Sequence, residues 1–276
     1  MPSVLVTGAG RGIGKSIVGH LAARGWDVIA GIRNERDAAT VTALDPQRIS
    51  SVILDVTDAG HIAALDESLP QRLDAIVNNA GVVVSGPMET VTPDEWRKQL
   101  EINVIGQLAV TQAVLPRLRK SRGRVVFISS VNGRVSMSLV GAYCASKFAL
   151  EAAADALRME LRPWHIGVAI VEPAQTDTDL WRTADDMVKE AEATLTAEQR
   201  DLYARHIAGF KKAISASQKL AVPAATVSAV VEEALTARRP RARYVVGVSP
   251  RLQVALLTNL PASLRDRVLR RVSGQP

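Results

Sequence analysis

Short, continuous apolar runs alternate along the chain with longer stretches in which apolar positions return every three or four residues. The runs at 4–6, 28–31, 52–54, 75–77, 125–128, 168–171 and 244–246 are dominated by Val, Ile and Leu and show little alternation. Strands buried on both faces of a parallel sheet have this pattern, because neither face meets water. Between them, residues 14–24, 35–44, 59–69, 93–118, 140–161 and 224–237 carry helical periodicity. Two of these helices have readable ends. Thr92 precedes Pro93 and Glu95, a pattern in which hydroxyl and carboxylate satisfy free amide groups. Pro163 closes the helix over 140–161, since it has no N–H to continue the ladder. Strand, helix and strand in this order predict βαβ units and an α/β fold, a doubly wound parallel sheet of seven strands with helices on both faces.

One segment breaks the rhythm. About 70 residues separate the sixth and seventh strands, and their middle, 185–217, is helical in pattern. An excursion that long inside a compact domain is usually a lid or binding segment. No repeat or linker is visible. The expectation is a single domain over 1–276, with a substrate-binding lid at 177–221 and a helical tail at 247–276.

Composition excludes several classes. Of the 276 residues, 47% are hydrophobic, enough for a sizeable core and too many for a disordered chain. The single cysteine, Cys144, rules out an internal disulfide framework and a multi-cysteine zinc site. His20, His61, His165 and His206 show no metal-ligand spacing, so no metal is expected. The formal charge is +6, but residues 238–276 hold nine arginines against one acid, Asp266. That segment is therefore +8, and the other 237 residues sum to −2. With aromatics at 4% there is little for bases to stack on, and no nucleic-acid partner is expected. The N-terminus lacks a basic leader, and the uncharged run 252–264 is too short to span a bilayer, so the expectation is cytoplasmic. Peripheral membrane contact through the tail is the alternative to tail helices that pack on the body with solvated arginines.

The first run ends in Thr7-Gly8-Ala9-Gly10-Arg11-Gly12-Ile13-Gly14, and a helix follows at once. Glycine permits a tight turn and a close backbone approach to a pyrophosphate, and the helix terminus offers free N–H groups. This context marks a Rossmann-type dinucleotide site. Tyr143 and Lys147 are i and i+4 on one helix face. A phenol is a poor base near neutrality, and an adjacent ammonium is expected to lower its pKa. Ser130 follows the fifth strand at its carboxyl end, where parallel sheets place ligands.

Together these features resemble the short-chain dehydrogenase/reductase family. Thr-Gly-x-x-x-Gly-x-Gly is similar to its cofactor loop, and Asn78-Asn79-Ala80-Gly81 to its second signature. Asn103, Ser130 and the Tyr143-x-x-x-Lys147 pair match its catalytic set. The resemblance runs from residue 4 to about 180. It implies that Tyr143 exchanges a proton with a carbonyl or alcohol oxygen held by Ser130. It further implies that Lys147 contacts the nicotinamide ribose, and that Asn103 holds a water linking Lys147 to solvent. Gly8, Gly12, Ile13, Gly14, Asn79, Ala80, Gly81, Pro173 and Thr176 (or Thr178) would line the cofactor, with Asp55 and Val56 at the adenine. A homodimer or homotetramer is implied as well. Taken singly, Ser130 could be a turn former and Asn103 a satisfier of a buried backbone group.

The second strand ends in Ile32-Arg33, where an acid would select NAD(H), and Arg11 stands in the glycine loop. Arginine suits a 2′-phosphate, so the expectation is NADP(H), with NAD(H) possible if both arginines are solvated loop charges. Ala174 replaces the family's usual glycine, which would cost stability if that position needs positive φ. Cys144 is expected to pack inward. Leu180, Trp181, Met187, Leu202, Tyr203, Ile207 and Phe210 line either a lid pocket or ordinary core. The 30–34 segment, with 243–247 and Leu260-Pro261, is similar to the hydroxysteroid and retinol dehydrogenase branch. That implies a lipophilic small-molecule alcohol or ketone. The competing classes are a binding protein that uses the basic tail and a cofactor-binding scaffold without turnover.

Overall fold

A computed structural model describes residues 1–177, 184–218 and 220–275, without the side chains of 184–187 and 190. Seven parallel strands form one sheet: β1 (Ser3–Thr7), β2 (Asp27–Ile32), β3 (Ile49–Ile53), β4 (Ala75–Asn78), β5 (Arg124–Ile128), β6 (Gly167–Glu172) and β9 (Arg243–Val245). Their order is β3-β2-β1-β4-β5-β6-β9, with each neighbouring pair parallel. The order reverses between β1 and β4. That opens a crevice at their carboxyl ends, where such sheets take ligands. Two short stretches, β7 (Thr176–Asp177) and β8 (Val222–Pro223), pair apart from the main sheet.

Both faces are covered. On one, α1 (Gly12–Ala23), α2 (Glu35–Thr42) and α9 (Ala224–Thr236) bury Ile17, Leu21, Val227 and Val231 against Val4, Val6 and Val126. On the other, α3 (Ala59–Ser68), α5 (Gly106–Ser121) and α6 (Gly141–Glu160) bury Leu65, Val114, Leu118 and Leu150 against Leu5, Ile76 and Phe127. Burial of this kind stabilises by about 1.5–3 kcal/mol per large side chain, and it fixes the strand register that aims the loops.

Two helices differ from the sequence pattern. The stretch expected as one helix over 93–118 is α4 (Pro93–Leu100), a wider π-helical turn at Glu101–Ile105, and α5. The expected capping box is present: Thr92 N donates to Glu95 Oε2 at 2.8 Å, and Glu95 N to Thr92 Oγ1 at 3.3 Å. The helical stretch at 185–217 is two helices, α7 (Ala184–Ala193) and α8 (Ala197–Gln218). Thr196 and Gln199 box the start of α8, with Thr196 N on Gln199 Oε1 at 2.9 Å and Gln199 N on Thr196 Oγ1 at 3.2 Å.

The tail forms α10 (Val248–Asn259) and α11 (Ala262–Val272), parted at Leu260-Pro261. Val254 of α10 packs inward, while Val248, Leu252 and Leu256 face outward. At its far end Gly274 lies against Gly209 of α8, and Gln275 Nε2 donates to His206 O at 3.2 Å. No helix among the described residues is long and apolar enough to cross a membrane.

Candidate active site

The glycine loop sits at the carboxyl end of β1. Gly8 and Gly12 have φ of +64° and +54°, a region that favours glycine. A Cβ on Gly8 would lie 2.8 Å from Ala80 Cα, and one on Gly14 would lie 2.2 Å from Gly8 O. The glycines thus let the turn, the start of α1 and the 79–81 segment close on one another. Asn79 fastens that closure: its side chain donates to Thr7 O at 3.0 Å and to Gly8 O at 3.1 Å. The Thr7 hydroxyl accepts from the Asn79 and Ala80 amides, both at 3.0 Å.

The first turns of α2 and α3 are capped by Asn34 and Asp58 side chains. The first turn of α1 has no side-chain cap and no acidic residue. Its amides at Gly12, Ile13 and Gly14 are free to meet a pyrophosphate, which is the fit a dinucleotide requires. Arg11 and Arg33 are both exposed, while Ile32 is buried at the end of β2. One acid escaped the sequence reading. Asp37 reaches back from α2, held by Asn34 Nδ2 at 3.0 Å, and its carboxylate stands 2.9 Å from where a Gly10 Cβ would be. Asp55 is half-buried. Burial raises its pKa, but hydrogen bonds from Thr57 and the charge of Arg33 outweigh that and hold it below the ordinary value. Val56 packs where Gly106 lets α5 come close: a Cβ there would be 2.4 Å from Val56 O.

Asn103 lies in the π turn, fully buried. Its Oδ1 accepts from Val82 N at 2.9 Å, and its Nδ2 donates to Val82 O at 3.0 Å and Ser146 Oγ at 3.1 Å. Its side chain is therefore committed to a backbone clamp and a tie to α6. Gln99 and Gln107, absent from the sequence candidates, continue this clamp. Gln99 accepts from Val84 N at 2.7 Å and donates to Val82 O at 2.9 Å; Gln107 donates to Ala80 O at 2.6 Å. Positions four apart drift around an α-helix, and the wider turn between them brings the three amides onto one loop.

Ser130 follows β5 and is nearly buried. Its Oγ accepts from Asn132 N at 3.1 Å and donates toward Pro173 O at 3.4 Å, and it lies near enough to the Tyr143 phenol to act on its ionisation. Burial pushes that phenol up to about 12, against the lowering effect of Ser130. The expected lowering by Lys147 is not realised here, because Lys147 turns its Nζ to Ile128 O at 2.8 Å and sits 5.8 Å from the ring centroid. Desolvation brings Lys147 itself down to about 8, partly offset by the charge of Glu151. Cys144 packs inward as expected, with its thiol raised by burial.

Thr176 is buried, its hydroxyl on Ala174 O at 3.1 Å, and Pro173 O accepts from Val131 N at 3.0 Å. Ala174 has no positive φ, so the missing glycine costs nothing there. Thr178, Leu180, Trp181 and the Met187 side chain lie outside the described residues. Among the other lid candidates, Ile207 and Phe210 pack with Val188, Leu195, Leu139 and Val140 around Tyr143, with Tyr203 at the margin and Leu202 exposed. Leu139, just before α6, holds φ at +65°, a strained conformation of the kind found at functional sites.

Comparison with known proteins agrees with this fold. The short chain dehydrogenase family matches residues 2–189. Retinol dehydrogenase 5 of Mus musculus is 33% identical, covering 99% of this chain and 89% of its own. The NADPH-dependent 3-dehydrocapnine reductase of Ornithobacterium rhinotracheale is 30% identical, covering 97% and 96%. A short-chain dehydrogenase structure from Streptomyces avermitilis superposes with a TM-score of 0.76 at 26% identity, covering 97% and 94%. The fold and site define a nicotinamide-dependent oxidoreductase. The chain belongs to the short-chain dehydrogenase/reductase family, on the side of the retinol and hydroxysteroid dehydrogenases.

Proposed function

We propose that this protein interconverts a lipophilic secondary alcohol and its carbonyl compound with NADP(H), with Tyr143 as the acid and base. The carrying observation is the Tyr143 phenol, with Ser130 near enough to act on its ionisation, inside an apolar enclosure that includes Ile207 and Phe210 from the 177–221 lid segment. When bound, the nicotinamide supplies or accepts the hydride. In reduction, Tyr143 donates its proton to the carbonyl oxygen, and Ser130 hydrogen-bonds that same oxygen to fix its position. The phenol holds its proton at neutral pH and so has one to deliver, although burial makes it a weaker acid than an ordinary tyrosine. Lys147, one turn on, is the cation that would stabilise the phenolate left behind once its Nζ turns from Ile128 O toward it. The apolar enclosure supports a lipophilic substrate, and so do the mouse and human relatives named retinol dehydrogenases, at 33% identity.

The exposed Arg11 and Arg33 beside a buried Ile32 support a 2′-phosphate, as does the relative named an NADPH-dependent reductase. Asp37 against Gly10 favours NAD(H) as a second reading, since a carboxylate repels a phosphate there. The test is Tyr143→Phe, assayed by NADPH absorbance over steroids, retinoids and aliphatic ketones. Turnover should fall by roughly 10²–10⁴-fold with cofactor binding retained. Substantial reduction by that variant would overturn the assignment.

A further inference from the structure

Tyr143 stands one turn before Lys147 on α6, and Glu151 stands one turn after it. Around Glu151 lies a cluster of charges that the reaction described above does not use. The end of β6 contributes Glu172, with no exposed surface, and Glu151 is nearly as buried. From β9, Arg243 enters between them: its Nε is 2.9 Å from Glu151 Oε2 and 3.3 Å from Glu172 Oε1, and its Nη2 is 2.6 Å from Asp155 Oδ2. The turn after β5 adds Ser129 beside Glu151, and Arg134, whose Nη1 is 3.5 Å from Glu172 Oε1. Among the described residues these groups, with Lys147 itself, are the charged and titratable side chains facing the pair.

The geometry leaves Glu172 poorly matched. One guanidinium nitrogen serves both carboxylates, and both contacts of Glu172 are longer than a charge-assisted hydrogen bond of about 2.7–2.9 Å. Two buried carboxylates this close cannot both ionise without a large penalty. Burial first, and then the charge of Glu151, raises Glu172 to about 7, and burial raises Glu151 as well. Such a pair titrates as a unit.

We propose that Glu151 and Glu172 share one proton and that this pair, clamped by Arg243 and Arg134, sets the charge of the Lys147 ammonium. Both are positioning residues, acting on the site through Lys147. The inference rests on the proposed role of Lys147, but its first readout does not. With the shared proton in place, the pair carries one negative charge toward Lys147. As the proton leaves, a second charge appears and holds the ammonium to higher pH. Arg243, the residue of the basic tail segment that turns inward, is the keystone of the cluster.

The cofactor-free wild-type protein is followed by infrared difference spectroscopy from about pH 5.5 to 9, bracketing the Glu172 titration. A protonated buried carboxyl band should be present at the acid end, vanish through neutrality, and be absent from Glu172→Gln. In parallel, kcat/KM for carbonyl reduction is measured against pH in wild type, Glu151→Gln and Arg243→Lys. Glu151→Gln should move the alkaline limb down by about one unit, so that the ratio of kcat/KM between acid and alkaline ends changes about tenfold. Arg243→Lys, which keeps the charge, should hold the limb near the wild-type position. A uniform loss across pH in Glu151→Gln, or no carboxyl band in the wild type, overturns the proposal. An active Tyr143→Phe would instead overturn the functional reading and leave the infrared result standing.

Discussion

Lys147 donates its ammonium to the carbonyl oxygen of Ile128 at 2.8 Å and stands 5.8 Å from the centroid of the Tyr143 ring. The lysine is thus a buried cation whose hydrogen bond goes to backbone, and burial lowers it to about 8 from an ordinary 10.5. A folded-state pKa below the unfolded one means that the unfolded chain binds more protons between those values. From this group, stability therefore rises with pH from about 8 to 10.5, and the penalty is fully present below 8. Lys147→Met should abolish turnover and yet stabilise the fold at neutral pH, by up to roughly 3 kcal/mol. That advantage should shrink toward pH 10.5 in denaturant titrations. A variant less stable than wild type at neutral pH would count against this account.

The Asn103 clamp carries the loop that follows β4. Removing its amide in Asn103→Ala leaves the Val82 N–H without its side-chain partner, at about 1–3 kcal/mol, while Val82 C=O loses one of two bonds and keeps that from Gln99. Asn103→Asp keeps the acceptor for Val82 N but loses both donated bonds, so it should fall between. Hydrogen exchange at Val82 should quicken in the same order, and the cofactor KM should rise with it. Unchanged exchange at Val82 would remove the clamp from the explanation.

The proposed cofactor choice is tested at Arg33. It is exposed at the end of β2, with Asp55 close enough for its charge to be felt. If it meets a 2′-phosphate, Arg33→Ala should lower kcat/KM for NADPH by roughly 10- to 100-fold, the loss of one hydrogen-bonded charge contact, while changing NADH little. Asp37→Asn should act in the opposite sense, easing NADPH binding by relieving repulsion at Gly10. A wild-type enzyme that prefers NADH would reverse the assignment in favour of the Asp37 reading.

The parts of this molecule that were legible in sequence are those with a local cause. Uninterrupted Val and Ile runs gave all seven strands of the sheet, because strands buried on both faces tolerate little else. Thr92-Pro93 and Pro163 marked helix ends for backbone reasons alone. The π turn at 101–105 was not legible. Its residues fit an ordinary helix, and only the distant backbone of Ala80, Val82 and Val84 rewards the wider winding. Gln99, Gln107 and Asp37 were missed for the same reason, since each matters through a contact made across the fold. The Thr196-Ala-Glu-Gln199 box also has a local cause, and it divides α7 from α8. The Tyr143–Lys147 spacing was read correctly as one face. Its electrostatics were not, because burial cannot be read from an i, i+4 pair.

The arginine-rich tail and the lid meet at a pair of glycines, and that contact can be broken selectively. A Cβ on Gly209 of α8 would lie 2.1 Å from Gly274 O, far inside any tolerated approach to backbone. Gly209→Ala should favour α8 itself, since alanine is the better helix former by about 1 kcal/mol, and should expel the Ser273–Gln275 end from it. The hydrogen bond from Gln275 to His206 O would go with it. Because Ile207 and Phe210 flank Gly209 and pack toward Tyr143, freeing the tail end removes a support from the helix that encloses the phenol. The expected result is faster hydrogen exchange over 270–275 and a raised KM for an apolar substrate, with kcat changed less. Gly274→Ala should loosen the same end, since Gly274 has a φ of +61°. If both variants leave exchange and KM at wild-type values, the tail end is not a support for the lid.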